Sequence, residues 1–156
     1  MKTLLILLMV VPGLVSAQVD KAFDGNNPDI YKNIADIIIK GSGVPFSLLQ
    51  ADSAANGDYT TTYRSAGNDT LTLVVHHSTV GKPPADLYSI TSITAPFAVL
   101  FPFWKTHFEP EAKEAALIAF QHGIAYSLKK PGGHEKIFSF GKLEDNSNWR
   151  IRAKDW

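Results

Sequence analysis

Five histidines and no cysteine set the limits of the chemistry this chain can do. Two of the histidines are adjacent, His76-His77, and Ser78-Thr79 follow them. On a strand, neighbouring side chains point to opposite faces, so the two imidazoles cannot both line one site unless a bulge intervenes. A chelating pair needs spacing i, i+2 on a strand or i, i+4 on a helix, and no H-x-H or H-E-x-x-H occurs. His76 and His77 therefore read as strand-end side chains. His107, His122 and His134 lie on or beside a later helical pattern, and Glu114 with His122 is an accidental spacing. The lack of cysteine removes thiol catalysis, disulfide exchange and Cys-ligated zinc. There is no G-x-S-x-G and no glycine-rich phosphate loop. Ser78, His77 and Asp86 are the nearest candidates for a Ser/His/Asp site. Glu109, Glu111 and Glu114 fit a helix N-terminus better than a carboxylate pair. No catalytic or metal-ligating residue and no cofactor is assigned, and the reading leans away from an enzyme.

The residues that do stand out are aromatic. Phe97, Phe101, Phe103, Trp104 and Phe108 fall within a segment that also holds Pro96 and Pro102. The prolines predict a loop rather than a central strand or an uninterrupted helix. Aromatic side chains in such a loop either complete the core or form an apolar lip for a partner. Phe97, Phe101, Phe103 and Trp104 are taken as the candidate binding residues. Trp149 and Trp156, with Arg150 and Arg152, suggest a second aromatic and basic surface, or an edge strand with its arginines in solvent.

These side chains need elements to hold them. Asn27-Pro28-Asp29 reads as a helix start, and Ile30, Ile34, Ile37 and Ile38 follow at helical spacing until Gly41-Ser42-Gly43. Val44 to Leu49 is expected as a short helix or packed loop, and Ala51 to Gly57 as a loop. Tyr59–Arg64 and Thr70–His76 are β-branched and aromatic, and Ser65 to Asp69 between them predicts a hairpin. Gly81-Lys82-Pro83-Pro84 stops the second strand, and Leu87 to Thr94 is a third. Pro110 to about Lys130 is expected as the longest helix, with Leu117, Phe120, Ile124 and Leu128 as its buried stripe and Pro131-Gly132-Gly133 as its end. Lys136–Gly141 and Trp149–Ala153 are the last two strands, with Glu144–Asn148 as their turn. The expected fold is α+β: an antiparallel sheet of about four or five strands with two main helices on one face. A helix-then-hairpin order recurs faintly in the two halves.

The beginning of the chain has the three parts of a signal peptide: Lys2, the apolar run Leu4 to Val11, and Val15-Ser16-Ala17 before a cut. Residues 1–17 are expected to be removed, leaving 18–156 as one domain with no transmembrane segment. Lys2 leaves with the leader, so the remainder has one fewer basic than acidic residue, a poor match for nucleic acid or an anionic membrane. A small exported chain without cysteine suggests a periplasmic or secreted protein of bacterial type. Asn68-Asp69-Thr70 matches a glycosylation sequon, but the turn alone accounts for Asn68. The expected function is an exported, non-catalytic binding protein, of inhibitor or immunity type or an envelope accessory factor, acting on another protein through the aromatic segment. The alternatives are a carrier of a hydrophobic small ligand and, behind it, a small histidine-dependent hydrolase.

Overall fold

A computed structural model describes residues 29–119, 123–129, 133, 135–144 and 147–155. The leader residues 1–17, the cap residues Asn27 and Pro28, and Phe120, His122, Lys130, Pro131, His134 and Trp156 lie outside the described residues. Helix α1, Ile30–Ser42, buries Ile34, Ala35 and Ile38, which share one face at helical spacing. Gly43 ends it in the left-handed conformation at φ 69°, its N–H donating to the Ile39 carbonyl, where a glycine has no Cβ to clash. Four strands follow as a meander: β1 (Phe46–Ser53), β2 (Asp58–Ser65), β3 (Thr70–Val80) and β4 (Ala85–Pro96). Helix α2 (Phe97–His107) and the single turn α3 (Glu109–Ala112) lead into a second meander, β5 (Ala116–Ala119), β6 (Gly123–Lys129), β7 (Glu135–Lys142) and β8 (Asn148–Asp155).

All eight strands form one antiparallel sheet in the order β1-β2-β3-β4-β8-β7-β6-β5. Within the sheet the halves are joined by the pairing of β4 with β8, where Ile93 lies opposite Ile151, and their helices pack on each other above it. Each half is thus a helix followed by four strands, and the faint echo in the sequence extends through the whole architecture. Each half also begins at a sheet edge with a bulged strand, at Leu48/Gln50 in β1 and at Leu117/Ala119 in β5. The helices lie on one face, over Leu71, Leu73, Ile93, Phe138, Phe140 and Ile151. Thr60, Thr62, Thr72, Thr94 and Arg152 alternate with these residues and point away from the helices.

The expected α+β fold with four or five strands and two packed helices is overturned: the chain is mostly β, with eight strands in the described residues. The largest correction is the expected helix from Pro110 to Lys130. Among the described residues there, only Glu109–Ala112 is helical, and 116–119 and 123–129 are strands. Ile124, Tyr126 and Leu128 fit a period of two, although Ile124 and Leu128 also fit a helical stripe, and their partners in β7 are Phe140, Phe138 and Lys136. Gly123 sits at φ 143°, and a Cβ there would lie 2.4 Å from the Gly141 Cα. That backbone can only be made by glycine and cannot continue a helix. Leu117, expected in the core, is 58% exposed.

Two smaller corrections go the same way. Of Val44 to Leu49, only Val44 and Pro45 are loop; Phe46 to Leu49 is the start of β1, which also takes in Ala51, Asp52 and Ser53 of the expected loop. Phe97 to His107 is a helix in spite of Pro102 within it. Its Val99, Leu100, Phe103 and Trp104 are all buried on one face. An interior proline costs a helix about 3 kcal/mol. Burying a large apolar side chain is worth about 1.5–3 kcal/mol, and four of them outweigh it. The expected helix at 30–42, the hairpin around Ser65–Asp69, the third strand and the last two strands all form.

Candidate functional site

Helix α2 begins directly after Pro96 ends β4, so its first residue is held at the rim of the sheet. Phe97 and Phe101 are one turn apart on that helix, and their rings stack with centroids 4.8 Å apart. Trp149, at the start of β8, meets Phe97 edge-on at 4.9 Å and Phe140 at 4.8 Å. Phe140 itself is buried and forms the floor. The result is an aromatic ledge with Phe97 42% and Phe101 38% exposed.

The other two expected binding residues serve a different purpose. Phe103 and Trp104 are only 4% and 6% exposed. Trp104 stacks on Phe140 at 5.1 Å and on Phe108 at 5.3 Å, with Phe138 beside it. The segment is therefore divided by helical phase: Phe103 and Trp104 anchor α2 in the core, and Phe97 and Phe101 are lifted into solvent. Trp149 belongs with the ledge, a membership sequence reasoning missed because the contact crosses some fifty residues of chain. Its only trace was the alternation of Trp149 and Ile151 against Arg150 and Arg152. That alternation also separates Trp149 from the arginines, which point to the opposite face of the sheet. One joint aromatic and basic surface from these residues does not form.

The ledge rings carry no titratable group, so the ledge can offer area and shape but no proton. The histidines sit elsewhere. His76 and His77 do point to opposite faces: His76 Nδ1 lies 2.8 Å from Asp58 Oδ1, and His77 Nε2 lies 3.0 Å from Asp86 Oδ1. The hydrogen bond from His76 holds the Asp58 carboxyl below the usual carboxylate range. His77 also stacks on Tyr88 at 4.8 Å, and Thr79 Oγ1 donates to Asp86 at 3.3 Å. His77 and Asp86 are thus a bonded pair, but Ser78 follows His77 on the strand and faces the other way, so these three do not assemble a serine nucleophile with its base. Glu111 takes Lys136 Nζ at 2.7 Å across to β7 rather than serving a long helix. His107 packs against Phe103 at 4.7 Å, and burial lowers its pKa below the ordinary imidazole value. Among the described residues no group of three or more His, Asp or Glu side chains could hold a metal ion, and no helix is long and apolar enough to cross a membrane.

Comparison with protein-family models, with curated proteins and with solved structures gives no match.

Proposed function

We propose that the chain is an exported, non-catalytic binding protein that engages another protein through the Phe97–Phe101–Trp149 ledge, in the manner of an inhibitor, an immunity protein or an envelope accessory factor. One observation carries this reading: Phe97 and Phe101 stack on each other in solvent, although Phe103 and Trp104 on the same helix are buried. Rings that are preorganised, partly exposed and braced from below are the side chains that dominate protein interfaces. Export is supported by the leader-like residues 1–17, and the absence of cysteine favours a bacterial envelope over an animal secretory route. The carrier reading loses ground because the space beneath the ledge is filled by Trp104 in ring contact with both Phe138 and Phe140.

The test uses Phe97→Ser and Phe101→Ser, each made singly in the exported protein because both rings are about three-fifths covered. Each variant should keep its strand-type circular dichroism and a cooperative melt, with stability lowered by about 2 kcal/mol, while losing a partner that the parent retains from its own envelope extract. Equal retention by the parent and both variants overturns the ledge as the binding surface. Intact mass of the exported form should show Gln18 first, and a full-length cytoplasmic product would overturn export.

A further inference from the structure

The face of the sheet turned away from the helices has an organisation of its own. Cross-strand register sets Thr72, Thr94, Arg150 and Gly141 side by side in one row on β3, β4, β8 and β7. The next row is Val74, Ser92, Arg152 and Ser139. Both rows cross the seam between the two halves, so the two guanidiniums stand near the middle of the sheet. Every immediate cross-strand neighbour of theirs is small: a hydroxyl residue or glycine. Arg150 Nε donates to Thr94 Oγ1 at 3.3 Å, and Arg152 is exposed.

Neither arginine has an ion-pair partner among the described residues. The carboxylates on this face stand towards its margins and are engaged: Asp58 by His76, Asp52 by Gln50, and Glu135 by Ser127. Burial, and then the charge of Arg152, pull the Arg150 pKa down from its usual value, as expected for a guanidinium with a like charge beside it and no counter-ion. Two like charges on alternate residues of one strand repel each other across about 6.5 Å. In a chain with a formal net charge of zero, this is a local concentration of positive charge.

We infer that this open face is a second docking surface, which binds a partner protein presenting carboxylates to Arg150 and Arg152. The spacing supports a protein partner. Residues i and i+2 of a strand lie about 6.5 Å apart, the same separation as alternate carboxylates on an extended acidic segment. Guanidiniums bind carboxylates in two-pronged fashion, and the flanking hydroxyls supply further donors. The two rows hold no aromatic ring, and aromatic stacking is what single-stranded nucleic acids ordinarily require of such a platform.

Fluorescence anisotropy with a labelled peptide of alternating glutamate and serine tests this directly. The wild-type domain should bind the peptide in a salt-sensitive manner and ignore the glutamine–serine counterpart. Arg150→Gln with Arg152→Gln should weaken binding by about tenfold or more, as charge-assisted contacts are lost. Lys40→Gln with Lys105→Gln removes the same net charge from exposed helix positions and should leave binding unchanged. Unaltered thermal melts of both double variants show that folding is not the cause. The inference is overturned if the folded wild type does not bind the acidic peptide, if the lysine variant loses binding equally, or if heparin binds and the peptide does not. Phe101→Ser should bind the peptide as the parent does, so failure of the ledge and failure of this face are told apart.

Discussion

Trp104 and Phe101 sit three residues apart on one helix and should respond very differently to truncation. Trp104 is 6% exposed and touches Phe108, Phe138, Phe140 and Tyr126 by ring contacts of 5.1 to 6.4 Å. Removing a buried tryptophan to alanine costs about 3–5 kcal/mol, and offset aromatic pairs add about 0.5–1.5 kcal/mol beyond area. Trp104→Ala should therefore fall near the top of that range, about 5 kcal/mol. Phe101 is 38% exposed, so about three-fifths of its surface is covered. A ring burying about 120 Å² at about 25 cal/mol per Å² gives about 3 kcal/mol before the share retained by alanine, and so about 2 kcal/mol for Phe101→Ala. Urea titration followed by far-ultraviolet circular dichroism measures both, with midpoints compared at a common slope. Because about 5 kcal/mol can consume most of a domain's stability, Trp104→Phe provides a milder second point, expected to cost about 1–2 kcal/mol. A Trp104→Ala loss below about 2 kcal/mol, or a Phe101→Ala loss equal to it, refutes the phase assigned to α2 and with it the ledge.

Two further outcomes follow from single groups. Thr61 is 3% exposed and its Oγ1 has no hydrogen-bond partner, so Thr61→Val should stabilise the domain by about 1 kcal/mol in the same titration, and a loss of that size would contradict the burial of an unsatisfied hydroxyl. His107 is held neutral by burial, so the unfolded chain takes up its proton more readily than the folded one; stability should fall as pH drops through the ordinary imidazole range, and His107→Gln should flatten that part of the profile.

What could be read from residues alone was whatever depended on neighbours in the chain. The isoleucines and closing glycines of α1, the Ser65–Asp69 hairpin and the alternation in β7 and β8 are local patterns, and all of them form. The errors fall where long-range pairing decides between two local readings. Ile124, Leu128 and Leu117 satisfy a helical stripe on paper, but Ile124 and Leu128 also satisfy a strand, and β7 already offers Phe138 and Phe140 as partners. A proline inside an aromatic run signals a broken helix until the burial of Val99, Leu100, Phe103 and Trp104 is weighed against it. The ledge was half legible: the run of rings pointed to the place, but helical phase, hidden behind the expectation of a loop, decided that Phe97 and Phe101 are outside and Phe103 and Trp104 inside.

The two proposed surfaces share a physical origin at the seam. Strands β4 and β8 pair over Ser92–Pro96 and Asn148–Arg152, and among the described residues no other strand pairing joins the two meanders. On the helix side, this short ladder carries Ile93 against Ile151 and Ala95 against Trp149; on the open side, it carries Thr94 against Arg150 and Ser92 against Arg152. Trp149 and Arg150 are consecutive, so strand alternation directs one to the ledge and the other to the opposite face. A seam between two half-sheets is the place where small neighbours leave room and where side chains from both halves converge. A partner seated on either face would span residues of both meanders and favour their paired arrangement, because anything that binds the folded state alone stabilises it. The exposed stacked rings and the guanidiniums without a counter-ion thus stand where binding energy would reinforce the strand pairing that joins the two meanders.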